Sequence, residues 1–314
     1  MFNRNTLTFL LLIGLATLLA ACNPASIEPD RLVVVASTTM IGDVAGRVGG
    51  ELIDLHTLLP VDADPHSYSP APKDVALIES ASLVFINGFY LEESLVDLIS
   101  ANARGKVVSV SDGVQTLLLG EWDHDEDEVP DSGDSHAGVD PHVWLNPVNV
   151  QVWAQNIARE LSTIDPEHAS VYQQNAESYL TELESLNNWM IEQVEQIPEE
   201  RRVLVTDHDS LGYFAEVYGF RIIGVVVIGG STLSDPSAQQ IAVLEKTIEA
   251  FNTPVIFVGT TVNTQLAERI AADTGTLLVP LYTGSLSSAD GPAASYIEMM
   301  QYNVNAIVQA LTQP

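Results

Sequence analysis

Eight short runs rich in Val, Ile and Leu punctuate the chain in two sets of four, and a helical pattern from Pro147 to about Gln196 stands between the sets. The first set is RLVVVAS, ELIDLHTLL, SLVFING and KVVSV, and the second is RRVLVT, FRIIGVVV, TPVIFV and TLLVP. Helix-like stretches such as APKDVALIESA, YLEESLVDLISA, DPSAQQIAVLEKTIEAF and TQLAERIAADTG separate them. A strand that returns to its sheet through a helix must pair in parallel. The pattern therefore predicts an α/β fold of two (βα)4 lobes with parallel sheets. Asp235 before Pro236 reads as an N-cap with proline at the first helical position, and Gly275 closes the helix before the last strand.

The stretch between the sets breaks once, at Asp165-Pro166, where one helix ends and another begins. The second helix carries Tyr172, Tyr179, Leu183, Leu186, Met190 and Val194 at helical spacing, an apolar stripe that packs against both lobes. A helical connector of ~30 residues is ~45 Å long and stiff.

The first residues, MFNRNTLTFLLLIGLATLLAACN, carry one positive side chain, an apolar run and small residues before Cys22. This is the layout of a secretory signal, too short and wrongly flanked for a spanning helix. Leu-Ala-Ala-Cys resembles a bacterial lipobox, so Cys22 is the expected lipidation site, tethering an exported body to a membrane surface facing the periplasm or cell exterior. Cys22 is also the only cysteine, which excludes disulfides and thiolate ligands in the body. The expected organisation is a signal peptide over 1–21, a tether over 22–30, a first lobe over 31–165, a linking helix over 166–197 and a second lobe over 198–314.

The charge balance is 12 Lys and Arg against 42 Asp and Glu, a net −30. Such a chain repels nucleic acid and anionic lipid, and draws cations. Against that background the histidines stand out. Asp-Pro-His occurs twice, as Asp64-Pro65-His66 and Asp140-Pro141-His142, and His208 follows the apolar run VLVT. All three fall beyond strand ends or before a helix, where ligands of parallel-sheet proteins sit. Three imidazoles so placed point to a transition-metal site.

Several motifs together, DADPHSYSPAPKDVALIESASLVFING, VDPHVWLNP, VTDHDSLGYFAEVYGF and ASYIEMMQYNVNAI, resemble the zinc- and manganese-binding solute-binding proteins of bacterial ABC importers. The resemblance covers essentially the whole exported chain. It implies two βα lobes joined by one long rigid helix, a metal in the interlobe cleft, ligation by His66, His142 and His208, and an ABC permease and ATPase as partners of a monomer. It also exposes a departure: many relatives carry Asp in a Tyr-Thr-Asp-Ser context after the last strand and Glu at the end of VIFV, where this chain has Gly284 and Gly259. Water, or a carboxylate such as Asp207 or Asp209, is left to complete the coordination, although neighbours of a ligand usually point away from it.

Three neutral imidazoles with an open position suit Zn2+, whereas Mn2+ prefers more carboxylate oxygen and stands as the alternative. The segment 121–139 has seven acidic residues between Asp123 and Asp134, with His124 and His136 as accessory metal-gathering candidates. Two rivals differ in class. A zinc hydrolase would use the same three imidazoles with Asp207 or Asp209 as base, but the chain has no HExxH or comparable motif, so the expectation is that it is not an enzyme. A surface adhesin role is compatible with transport.

Overall fold

The computed structural model describes residues 31–120, 138–228, 232 and 236–313. Cys22, the signal and tether, His124, His136, Asp235 and all but the end of the acidic segment lie outside them.

The first sheet holds β1 (Leu32–Ala36), β2 (Ile53–Thr57), β3 (Leu83–Ile86) and β4 (Lys106–Ser109). They pair in parallel in the order β2-β1-β3-β4, with Val35 opposite both His56 and Val84. Helices α1 (Thr39–Gly49), α2 (Pro72–Ser80) and α3 (Glu93–Asn102) connect them. Two long helices follow, α4 (Pro147–Ile164) and α5 (Ala169–Val194), separated at Asp165-Pro166 by a 3-10 turn. The second sheet holds β5 (Val203–His208), β6 (Arg221–Val227), β7 (Val255–Gly259) and β8 (Leu277–Leu281), parallel in the matching order β6-β5-β7-β8. Its helices are α6 (Gly212–Tyr218), α7 (Ala238–Phe251) and α8 (Gln265–Thr274), and α9 (Tyr296–Thr312) closes the chain.

All eight apolar runs are strands because each is β-branched and flanked by turn residues. Helix α1 is less evident in sequence, since its glycines are poor helix formers. Gly49 is needed by packing: a Cβ there would lie 2.3 Å from Ile53 Cδ1, so only glycine lets the helix end close against β2. The start of α7 differs from expectation. Ser237 is the N-cap, its hydroxyl accepting from Gln240 N at 3.3 Å, and Pro236 precedes the cap instead of opening the helix. A serine with Gln three residues on forms a capping box, which outcompetes the proline signal.

Tyr172, Tyr179, Leu183, Leu186, Met190 and Val194 are all buried along α5, which packs against α1, α4 and α9. At 26 residues α5 is ~39 Å long. One apolar core runs from Val34 and Phe85 through Trp153, Tyr172 and Leu183 to Leu204, Phe257 and Met300. Smaller clusters cover the outer face of each sheet, around Val84 and Ile78 in the first and Ile256 and Ile270 in the second. No helix among the described residues is long and apolar enough to cross a membrane.

Candidate metal centre

His66 stands in the loop after β2, His142 at the entry to the 3-10 turn Val143–Leu145, and His208 at the last position of β5. Distant in sequence, they converge in space. His142 Nε2 lies 3.1 Å from His66 Nε2 and 3.3 Å from His208 Nε2, and the ligand atoms of the three residues all lie within 4.8 Å of one another. The rings meet at steep angles with centroids 5.1 to 5.8 Å apart. His142 and His208 are buried and His66 is partly so. Nitrogens this close, from three rings facing one another, have the spacing that could hold a single cation.

Each Asp-Pro-His folds into the same turn. Asp64 Oδ1 accepts the His66 N–H at 3.0 Å, and Asp140 Oδ1 accepts the His142 N–H at 2.9 Å. The proline between them fixes φ, and the aspartate bonds backbone two residues on, so the tripeptide presents its histidine in one orientation. Asp140 Oδ1 also lies 2.8 Å from His142 Nδ1, which leaves Nε2 to face the cluster. The repeated tripeptide is the sequence signal for this role of the two aspartates, which residue type alone does not reveal.

His208 is supported differently. Its Nδ1 lies 3.2 Å from Asp207 Oδ1, an ion-pair distance with poor hydrogen-bond alignment, and Asp207 Oδ2 accepts from Gly259 N–H at 3.1 Å. Asp207 therefore stands behind His208, on the side away from the other rings. Asp209 is buried and lines a cavity of about 360 Å³ with Asp140, Leu117, Glu216 and Phe220, none of the three histidines among the lining. Among the described residues no carboxylate joins the three imidazoles as a fourth member. At the two glycines near the site, a Cβ at Gly284 would lie 2.7 Å from Thr261 Oγ1 and 3.2 Å from Pro65 Cδ, and one at Gly259 would lie 2.6 Å from Thr283 Oγ1. These spaces are filled by hydroxyls and by the first Asp-Pro-His itself.

Burial, then the charges that His142 and His208 would carry, pushes the His66 pKa down to about 3. Burial likewise holds His142 well below its ordinary value. At His208 burial also opposes charge, but the adjacent Asp207 carboxylate outweighs it and raises the pKa. Burial pushes Asp140 up to about 7. Two of the imidazoles are thus held neutral, the form that ligates.

Other contacts brace the site from both lobes. Trp144, its ring 5.3 Å from that of His142, donates Nε1–H to the Thr283 carbonyl at 2.9 Å, and Tyr296 donates its hydroxyl to the Trp144 carbonyl at 2.6 Å. Asp64 Oδ2 accepts from Ser67 Oγ at 2.9 Å and from the Thr232 hydroxyl of the second lobe.

Two parallel-sheet lobes with three imidazoles aimed at one point have the form of a solute-binding protein for a metal ion. The family of the periplasmic zinc-uptake complex component A, ZnuA, matches residues 34–310. The manganese-binding lipoprotein MntA of Halalkalibacterium halodurans is 32% identical over 287 residues, covering 91% of this chain and 90% of MntA. The manganese ABC transporter substrate-binding lipoprotein PsaA of Streptococcus pneumoniae is 30% identical over 320 residues, 98% of each chain. Among solved structures, the periplasmic zinc-binding protein TroA of Treponema pallidum superposes with a TM-score of 0.80 at 26% identity, over 90% of this chain and all of TroA. The chain belongs to the ZnuA family of metal-binding substrate-binding proteins of ABC importers.

Proposed function

We propose that this protein captures Zn2+ outside the cytoplasm through His66, His142 and His208 and delivers it to an ABC permease driven by its ATPase. The observation that carries the reading is the all-nitrogen cluster: three imidazole nitrogens converge with no carboxylate among them in the described residues. Zn2+ accepts three imidazoles and a water in tetrahedral geometry, whereas a harder Mn2+ ion loses more from missing carboxylate oxygen. The names of MntA and PsaA favour the second reading, Mn2+.

Cys22 supplies the lipid anchor, and the relatives named as lipoproteins support an exported, membrane-tethered protein, which acts as a monomer in this reading. His124 and His136 in the acidic segment gather metal weakly, and Asp207 supports His208 from behind, with Asp209 left as an accessory carboxylate. The names of the relatives describe binding and transport, not catalysis, and support a non-enzymatic role.

Equilibrium dialysis with metal analysis tests the reading. One Zn2+ per chain is expected to survive equal free Mn2+. Displacement by Mn2+ would overturn the zinc assignment, and failure to retain either ion would overturn the function.

A further inference from the structure

Asn87 bonds the peptide that precedes His142, and directly after Asn87 the backbone is costly to make. Gly88, Phe89 and Tyr90 all have positive φ, at 91°, 52° and 60°. Glycine adopts this region freely, but two successive aromatic residues do so only when their surroundings impose it. The hydrogen bonds show what the turn accomplishes. It folds the chain back so that buried Glu92 Oε1 accepts from Asn87 N–H at 2.6 Å and from the Ser37 hydroxyl at 2.5 Å. Asn87 is itself fully buried, between the end of β3 and the turn. Its Nδ2 donates to the Gly88 carbonyl at 2.9 Å and to the Pro141 carbonyl at 3.0 Å, and its Oδ1 lies 3.4 Å from the Ser111 hydroxyl.

The Pro141 carbonyl belongs to the peptide that leads directly into His142. We infer that Asn87 is a positioning residue for the metal site, its amide clamping that peptide so that His142 is fixed where the other two imidazoles meet it. This rests on the metal-binding reading above. His142 is then held by three contacts from two residues: Asn87 grips the peptide before it, and Asp140 Oδ1 holds its N–H and its Nδ1. His66 has only the Asp64 turn, and His208 Nδ1 has no aligned hydrogen bond. His142 also has the central place, with its Nε2 within 3.3 Å of each of the other two Nε2 atoms. The left-handed turn and Glu92 serve this arrangement by fixing the backbone on which Asn87 stands. A small displacement of His142 would alter both close nitrogen pairs at once, which is why support behind a ligand affects metal affinity.

The test uses the whole exported chain and Asn87→Asp, which keeps the shape of the side chain but puts an oxygen in place of the amide group that meets the Pro141 carbonyl. Zn2+ affinity by competition with a chelating dye, the visible absorption of the Co2+-loaded protein and the melting temperature of the metal-free protein are measured together. The expected result is a 10–100-fold loss of Zn2+ affinity, roughly the scale for support groups behind ligands, with an altered Co2+ spectrum. A folded Asn87→Asp protein with wild-type affinity and an unchanged Co2+ spectrum, lower only in melting temperature, would overturn the inference. If that variant does not fold, Asn87→Ser, which only shortens the reach, is read in the same way. Wild-type protein that bound no Zn2+ would instead overturn the metal-binding reading and this inference with it.

Discussion

In the first Asp-Pro-His turn the Asp64 carboxylate accepts the His66 N–H and then reaches outward, to Ser67 and to Thr232 of the second lobe. In the second turn Asp140 accepts the His142 N–H and turns inward, onto His142 Nδ1, with its Oδ2 2.6 Å from where a Cβ on Gly212 would stand. One backbone device thus serves two purposes. The second turn fixes its histidine within a buried frame, while the first ties a partly exposed histidine to the opposite lobe. A repeated motif identifies shared local geometry; the destination of each spare carboxylate oxygen separates the roles.

The largest effect that could break this comparison comes from removing the ligands themselves. His142→Ala is expected to lower Zn2+ affinity by at least 100-fold, since losing a ligand exceeds the 10–100-fold seen for its supports, and His66→Ala by less. Isothermal titration of both variants would reverse the ranking if His66 were the central ligand. Next in size are the aspartates. Asp140→Asn should weaken Zn2+ by about 10–100-fold, and Asp64→Asn by under about 10-fold in affinity with faster release, because its remaining bonds cross between lobes. Stopped-flow release of Zn2+ to a chelator measures this, and equal release rates for the two variants would erase the distinction.

The smallest effect is a pH signature in the metal-free protein. His66, with its pKa near 3 in the folded chain against an ordinary 6.5, stays neutral where the unfolded chain takes up a proton. Its contribution is present above about pH 6.5 and lost as pH falls toward 3, at about 1.4 kcal/mol per pH unit for one proton. Asp140, raised from 3.8 to about 7, has the opposite sign, stabilising below the lower value and losing that contribution as pH rises through the upper one. In thermal melts from about pH 4 to about pH 7, His66→Gln should flatten the acid loss and Asp140→Asn should steepen it. Identical slopes in both variants and wild type would remove this difference between the turns.

The eight strands, the break at Asp165-Pro166 and the apolar stripe of α5 were legible because each is a local pattern whose cause lies in its own residues. The three histidines were legible as a set because their residue type and loop placement repeat. What sequence left dark depends on neighbours distant in the chain. Helix α1 is obscured by glycines that only its packing on β2 explains, and Pro236 promised a helix start that Ser237 provides instead. Asn87 and Glu92 carry no signal at all, since Phe89 and Tyr90 are not residues that advertise a left-handed turn. Gly284 is legible as a position without a carboxylate, whereas the crowding of its place by Thr261 and Pro65 depends on residues distant in the chain.

The continuous interior from Val34 through Leu183 to Leu204 has a consequence for inheritance. Neither half of the chain owns its core, so calorimetry should record one transition, and a fragment ending near residue 197 should not fold alone. Recombination between relatives could not exchange a single lobe as a finished part. Metal preference in such a molecule would have to change in place, by substitution at the few positions that line the site.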